Sequence, residues 1–134
     1  MRENLEYILK YRLQQAEESL KDAEILYNSS GSFRSIINRS YYSMFYSVLA
    51  LFSREGIGRS RHSGVLSIFD REYIKTKVFP KEMSKLFHQS FNLRQECDYG
   101  ELDFITKNEV LDIMNGAKKF LKKIKEYIKT DIPT

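Results

Sequence analysis

The stretch NRSYYSMFYSVLALF, residues 38–52, decides how the rest of the chain is read. Tyr41, Met44, Val48, Leu51 and Phe52 continue Phe33, Ile36 and Ile37 at steps of mostly three and four residues, which is one stripe of a helix. The densest part, YYSMFYSVLALF at 41–52, falls far short of the ~20 residues that span a bilayer. Tyr42, Phe45, Tyr46 and Leu49 lie beside that stripe and make the helix apolar around much of its circumference. A helix at the surface of a bundle needs only one apolar face. A homodimer is therefore expected, with Phe45, Tyr46 and Leu49 at or near its interface. The simpler alternative is that the tyrosines cover core and turn their hydroxyls to water.

Outward from this helix the same periodicity holds. Leu5, Ile8, Leu9, Leu13, Ala16, Leu20, Ala23 and Tyr27 form an earlier stripe, ended by NSSG at 28–31. After REGIG a shorter helix is predicted over about 62–75, carrying Val65, Leu66, Ile68, Phe69 and Tyr73. Pro80 suits the first turn of a fourth helix, where its missing N–H is not needed. That helix offers Met83, Leu86, Phe87, Ser90, Leu93 and Cys97. TKNE at 106–109 reads as a capping box, with Thr106 and Glu109 each taking one free N–H. Val110, Ile113, Met114, Ala117, Leu121, Ile124 and Ile128 make the last stripe. No convincing alternating strand and no repeat is visible. The expected fold is all-α: an up-down four-helix bundle with one additional short helix, forming a single domain over 1–134.

Composition narrows the function classes. The 134 residues are 42% apolar and 13% aromatic, enough to bury a core without staples. Charged residues at 30% are too many for a membrane protein and too balanced for a disordered one. The start, MRENLEYILKYR, carries no signal-peptide core, so a cytoplasmic protein is expected. One cysteine excludes an internal disulfide and a multi-cysteine metal site. His62 and His88 lie in separate segments and no HExxH occurs, so no metal and no cofactor are expected. The net charge of +4 is compatible with a polyanionic partner. Six lysines between 118 and 129 read as a solvated face suited to a helix C-terminus.

Three places hold candidate chemistry. In NLRQECDYGE, 92–101, Arg94 and Asp98 are i, i+4 neighbours on the face that also bears Phe87 and Phe91. A partly buried guanidinium needs partners for five donors. Asp98 can serve some, and a phosphate or a second chain others; structural pairing and ligand binding both stay open. The loop SREGIGRSRHSG, 53–64, gathers Arg54, Arg59, Arg61 and His62 around glycines, an arrangement that lets backbone and guanidinium groups approach phosphate. On the second helix Arg39, Tyr42, Ser43 and Tyr46 share one face.

Together, NRSYYSMFYSVLALF (38–52), RHSGVLSIFDREYIKT (61–76) and NLRQECDYGE (92–101) resemble the HEPN superfamily of small helical domains, over roughly residues 5–128. The resemblance implies a dimer with a groove between two copies of the motif-bearing helix, and a link to RNA or nucleotides. It also implies a minimal nucleotidyltransferase as the common partner, in toxin–antitoxin pairs where many members are metal-independent endoribonucleases. In active members an arginine is followed, four to six residues on, by a histidine that handles the 2′-hydroxyl proton while the arginine stabilises phosphate charge. Here Arg94 matches the arginine, but Asp98 stands near the histidine position and Tyr99 follows. Tyr99 is also the nearest match to a tyrosine that some partners modify with AMP. Asp98, an aspartate held ionised by neighbouring Arg94, is a poor general base. The expected function is therefore binding of RNA, nucleotide or partner, with Arg94, Asp98, Tyr99, Arg39, Tyr42, Arg61 and His62 as groove residues. The alternative is an endoribonuclease toxin with Arg94 on the phosphate and Asp98 or His62 accepting the proton.

Overall fold

A short polar segment separates the first two helices, and its serines start the second. The Ser32 side chain, on an extended backbone, accepts the N–H of Ser35 at 3.1 Å. In the computed structural model, which describes residues 2–58, 61–98 and 105–130, helix α1 covers Arg2–Asn28 and α2 covers Phe33–Glu55. Gly56 ends α2 in the left-handed conformation, φ 73°, which glycine adopts without a Cβ penalty.

The third helix departs from a regular course. His62–Phe69 (α3) is α-helical, but Asp70–Ile74 widens into a π turn closed by the Lys75 N–H on the Asp70 carbonyl, 2.9 Å. Lys77 then takes a positive φ of 62°, and the Phe79 N–H returns to the Tyr73 carbonyl at 2.9 Å. Helix α4 follows Pro80 and runs Lys81–Asp98; α5 runs Lys107–Thr130. Half of the expected capping box forms at α5. Thr106 Oγ accepts the Glu109 N–H at 3.1 Å, but the Glu109 carboxylate takes the threonine hydroxyl proton rather than a backbone N–H. No strand occurs among the described residues. The fold is all-α: four long helices and one short.

Helix α2 is the axis of the packing and touches all four other helices, α1 most extensively. Each of that pair carries a buried stripe of small residues: Ala16, Ser19 and Ala23 on α1; Ser40, Ser43, Ser47 and Ala50 on α2. Small side chains let two helix axes approach closely. The larger core holds Tyr41, Phe52, Phe69, Phe87 and Phe120, all fully buried. A smaller one surrounds Ile36, Ile37, Val110 and Ile113, and Cys97 is buried there.

This centrality corrects one premise of the sequence reading. Phe45 and Leu49 are 4% and 7% exposed within the single chain, so the protomer's own core already covers them. The small α3 and the long α4 close over the side of α2 that a three-neighbour helix would leave open. Of the three residues expected at an interface, Tyr46 alone keeps substantial exposed surface.

Candidate functional site

Tyr41 points from α2 into a cluster of rings contributed by three helices. Its neighbours are Tyr42 and Phe45 on α2, His62 at the start of α3, and Phe87 and Phe91 on α4, with ring centroids 5.3–5.9 Å away. The His62 imidazole lies nearly parallel to Phe45, 4.2 Å between centroids and 15° between planes. The Tyr41 hydroxyl is 2.6 Å from His62 Nδ1.

Arg94 enters this cluster from α4. Its Cζ sits 5.1 Å from the Tyr42 ring centre and 5.5 Å from that of Tyr41, within the range of a cation–π interaction. Arg39 lies 5.3 Å from the same Tyr42 ring, and its Nε and Nη2 donate to Asn38 Oδ1 at 3.1 and 2.7 Å. The Arg94 Nε is buried and has no acceptor among the described residues. A buried donor without a partner costs about 1–3 kcal/mol, so an acceptor from outside the chain would relieve it.

The protonation states follow from burial and charge. Burial lowers the His62 pKa, and the Arg94 cation lowers it further, so the imidazole is neutral near pH 7. Burial raises the Tyr41 phenol well above its usual value, with Arg94 opposing. A protonated, buried hydroxyl must donate, and among the described residues His62 Nδ1 is its only acceptor. A neutral imidazole that accepts at Nδ1 carries its proton on Nε2. The cluster therefore presents donors: Arg94 Nε and His62 Nε2–H.

One consequence is measurable. Below about pH 6.5 the unfolded chain protonates its histidines, while native His62 resists. The unfolded state then binds more protons, and stability falls as pH drops through that window towards the lower native value. Above it, His62 adds no pH dependence. Denaturant midpoints between pH 8 and 5 should show a smaller acid-side loss for His62→Gln than for the original protein. Equal slopes would mean that His62 titrates normally.

The structure thus gathers Arg94, His62, Arg39 and Tyr42 around Tyr41. Arg61 is exposed at the cap position of α3, its carbonyl accepting the Val65 N–H, one residue from His62. Arg54 is drawn elsewhere, with Nη1 donating to the Ile128 carbonyl at 2.9 Å. Arg59, Tyr99 and the Asp98 side chain lie outside the described residues, and so does the expected Arg94–Asp98 pair. The sequence places Tyr41 only on the core stripe. No local pattern links it to a histidine twenty-one positions away. No group of three or more His, Cys, Asp or Glu side chains is placed to hold a metal among the described residues. No described helix is long and apolar enough to cross a membrane.

Comparison with known proteins covers the stretch of chain that builds this cluster. A protein of Thermotoga maritima named "UPF0332 protein" is 39% identical over 92% of both chains. "Putative toxin MJ0142" of Methanocaldococcus jannaschii is 38% identical over 90% of this chain and 81% of that one. "Putative toxin MJ0605" of the same organism is 30% identical over 85% and 84%. The HEPN domain model matches residues 9–127, from α1 through the Tyr41 cluster to α5, and the chain belongs to the HEPN domain family.

Proposed function

We propose that this protein is a cytoplasmic, homodimeric RNA- or nucleotide-binding HEPN subunit that cleaves RNA slowly or not at all and works beside a minimal nucleotidyltransferase. The observation that carries the binding part is the buried Arg94 Nε, without a partner among the described residues, beside His62 and two tyrosine rings. Donors gathered in one cluster suit a phosphate oxygen. Partly exposed Tyr42, with Arg39 near it, offers a surface on which a base can stack. The slow-cleavage part rests on the His62 tautomer, because an Nε2 that carries a proton cannot accept one. The dimer and the nucleotidyltransferase rest on family membership, with Tyr42 and Tyr46 as outward aromatic surface for the former.

A second reading has its own support. Two relatives bear names that include the word toxin, and the His62 side chain, one of the two base candidates, lies in one cluster with Arg94. In that reading His62 exchanges tautomer and Nε2 takes the 2′-hydroxyl proton while Arg94 stabilises the phosphate charge. Labelled single-stranded RNA incubated in EDTA separates the two, using wild type, Arg94→Ala and His62→Ala. The expected result is bound, intact RNA with wild type and weakened binding with Arg94→Ala. Rapid wild-type cleavage lost in both variants would establish the nuclease instead. Sedimentation at micromolar concentration tests the dimer, and a persistent monomer would reject that part.

A further inference from the structure

Helix α4 carries a second feature at its other end. An open cleft of about 1000 Å³ lies where the π turn, the Lys77 bend and the start of α4 meet α5. Five lysines line it: Lys75, Lys77, Lys81, Lys85 and Lys123. All five are exposed. Asp70 is the one carboxylate in the lining, and it is already engaged. Its Oδ1 accepts the Ser84 hydroxyl at 2.6 Å and its Oδ2 meets His88 Nε2 at 2.7 Å. The lysines are therefore left to face solvent or an anion.

The local backbone holds this cleft in shape. Lys77 is a non-glycine residue with φ 62°, a conformation that costs free energy unless its surroundings fix it. Here the Lys77 N–H on the Ile74 carbonyl at 3.0 Å and the Phe79 N–H on the Tyr73 carbonyl fix it. Phe79 is buried behind the bend. The lysines thus project from a braced turn and from two helices.

Register ties the cleft to the Tyr41 cluster. Ser84, His88, Phe91 and Arg94 follow i, i+4, i+7 and i+10 on α4, one face about 15 Å long at 1.5 Å per residue. Alongside it, α3 starts at His62 in the cluster, and Asp70, the residue after its last, lies in the cleft. The α4 face that bears Arg94 towards one end thus bears Ser84, a cleft-lining residue, towards the other.

We infer that the lysine cleft binds backbone phosphates of a single-stranded RNA whose base or phosphate end occupies the Arg94–His62 cluster. The inference rests on the RNA reading given above and extends it. Short nucleotides would use the cluster alone, and longer strands would gain affinity from the cleft. Ammonium groups around an apolar-walled cleft are point charges suited to a flexible chain of phosphates rather than to one fixed carboxylate.

The test is fluorescence anisotropy with a labelled 12-nucleotide oligouridine across a salt series. Three proteins are compared with wild type: Lys81→Gln/Lys85→Gln/Lys123→Gln, Lys118→Gln/Lys122→Gln/Lys129→Gln, and Arg94→Ala. The first removes cleft charge; the second removes equal charge from another part of α5. All six lysines are exposed on helices, so the folds should survive, as thermal melts will check. The cleft variant should weaken binding about tenfold or more and flatten the log–log salt dependence by about 2, from roughly 0.7 per lost phosphate contact. The control triple should stay near wild type. Equal weakening by both triples, or none by the cleft triple, overturns the cleft and leaves the Arg94 reading standing. Weakening by the cleft triple with none from Arg94→Ala keeps the cleft and overturns the Arg94 reading. No wild-type binding overturns both.

Discussion

Tyr41→Ala should lower the free energy of unfolding by about 3–5 kcal/mol, the range for removing a large aromatic from a core. Tyr41 is fully buried, and five rings from three helices pack around it. Losing its ring opens a cavity that those rings cannot fill without moving α2, α3 and α4 together. Losing its hydroxyl also strands His62 Nδ1. Tyr41→Phe isolates the second effect and should cost about 1–3 kcal/mol, the penalty for an unmet buried polar group. Urea titrations at one fixed protein concentration measure both, and that precaution matters if the chain dimerises. A cost below about 1 kcal/mol for Tyr41→Ala would mean that the cluster repacks freely and that Tyr41 does not organise it.

What the sequence revealed was what is local. The helical stripes, the Pro80 start of α4 and the Thr106 cap depend on neighbours within four residues, and they stand where the periodicity put them. In the sequence the π turn at Asp70–Ile74 looks like plain helix, because Val65 to Tyr73 keep helical spacing while the extra residue per turn leaves no apolar gap. The position of α2 was not legible. Its surplus of aromatics can cover a partner chain or its own α3 and α4, and only the packing of the whole chain decides for Phe45 and Leu49. The Tyr41–His62 bond spans twenty-one residues and the Arg94–Tyr42 contact fifty-two, so neither leaves a spacing signature. For Arg94 the sequence offered the i+4 carboxylate of Asp98. That pair lies outside the described residues; among them the guanidinium meets two tyrosine rings, and its Nε has no acceptor.

Arg94→Met should separate function from stability in opposite directions. On the side of function, Arg94 brings the charge, the Nε donor and the cation–π contacts that hold the guanidinium over Tyr41 and Tyr42. A charge-assisted hydrogen bond to phosphate contributes about 1.5–3 kcal/mol, so loss of single-stranded RNA binding of about ten- to hundredfold is expected. On the side of stability, the same residue imposes a cost, because its Nε is buried without an acceptor among the described residues. Methionine keeps a long apolar stem, and its sulfur makes favourable contacts with aromatic rings. Those gains offset the cation–π energy, about 0.5–2 kcal/mol. The denaturant midpoint should therefore hold or rise while binding falls, the pattern of a residue kept for its ligand rather than for the fold. Anisotropy titration and urea unfolding of the same preparation measure both quantities. A stability loss above about 1 kcal/mol with RNA binding unchanged would make Arg94 a structural residue, and the Tyr41 cluster would then be core and not a site.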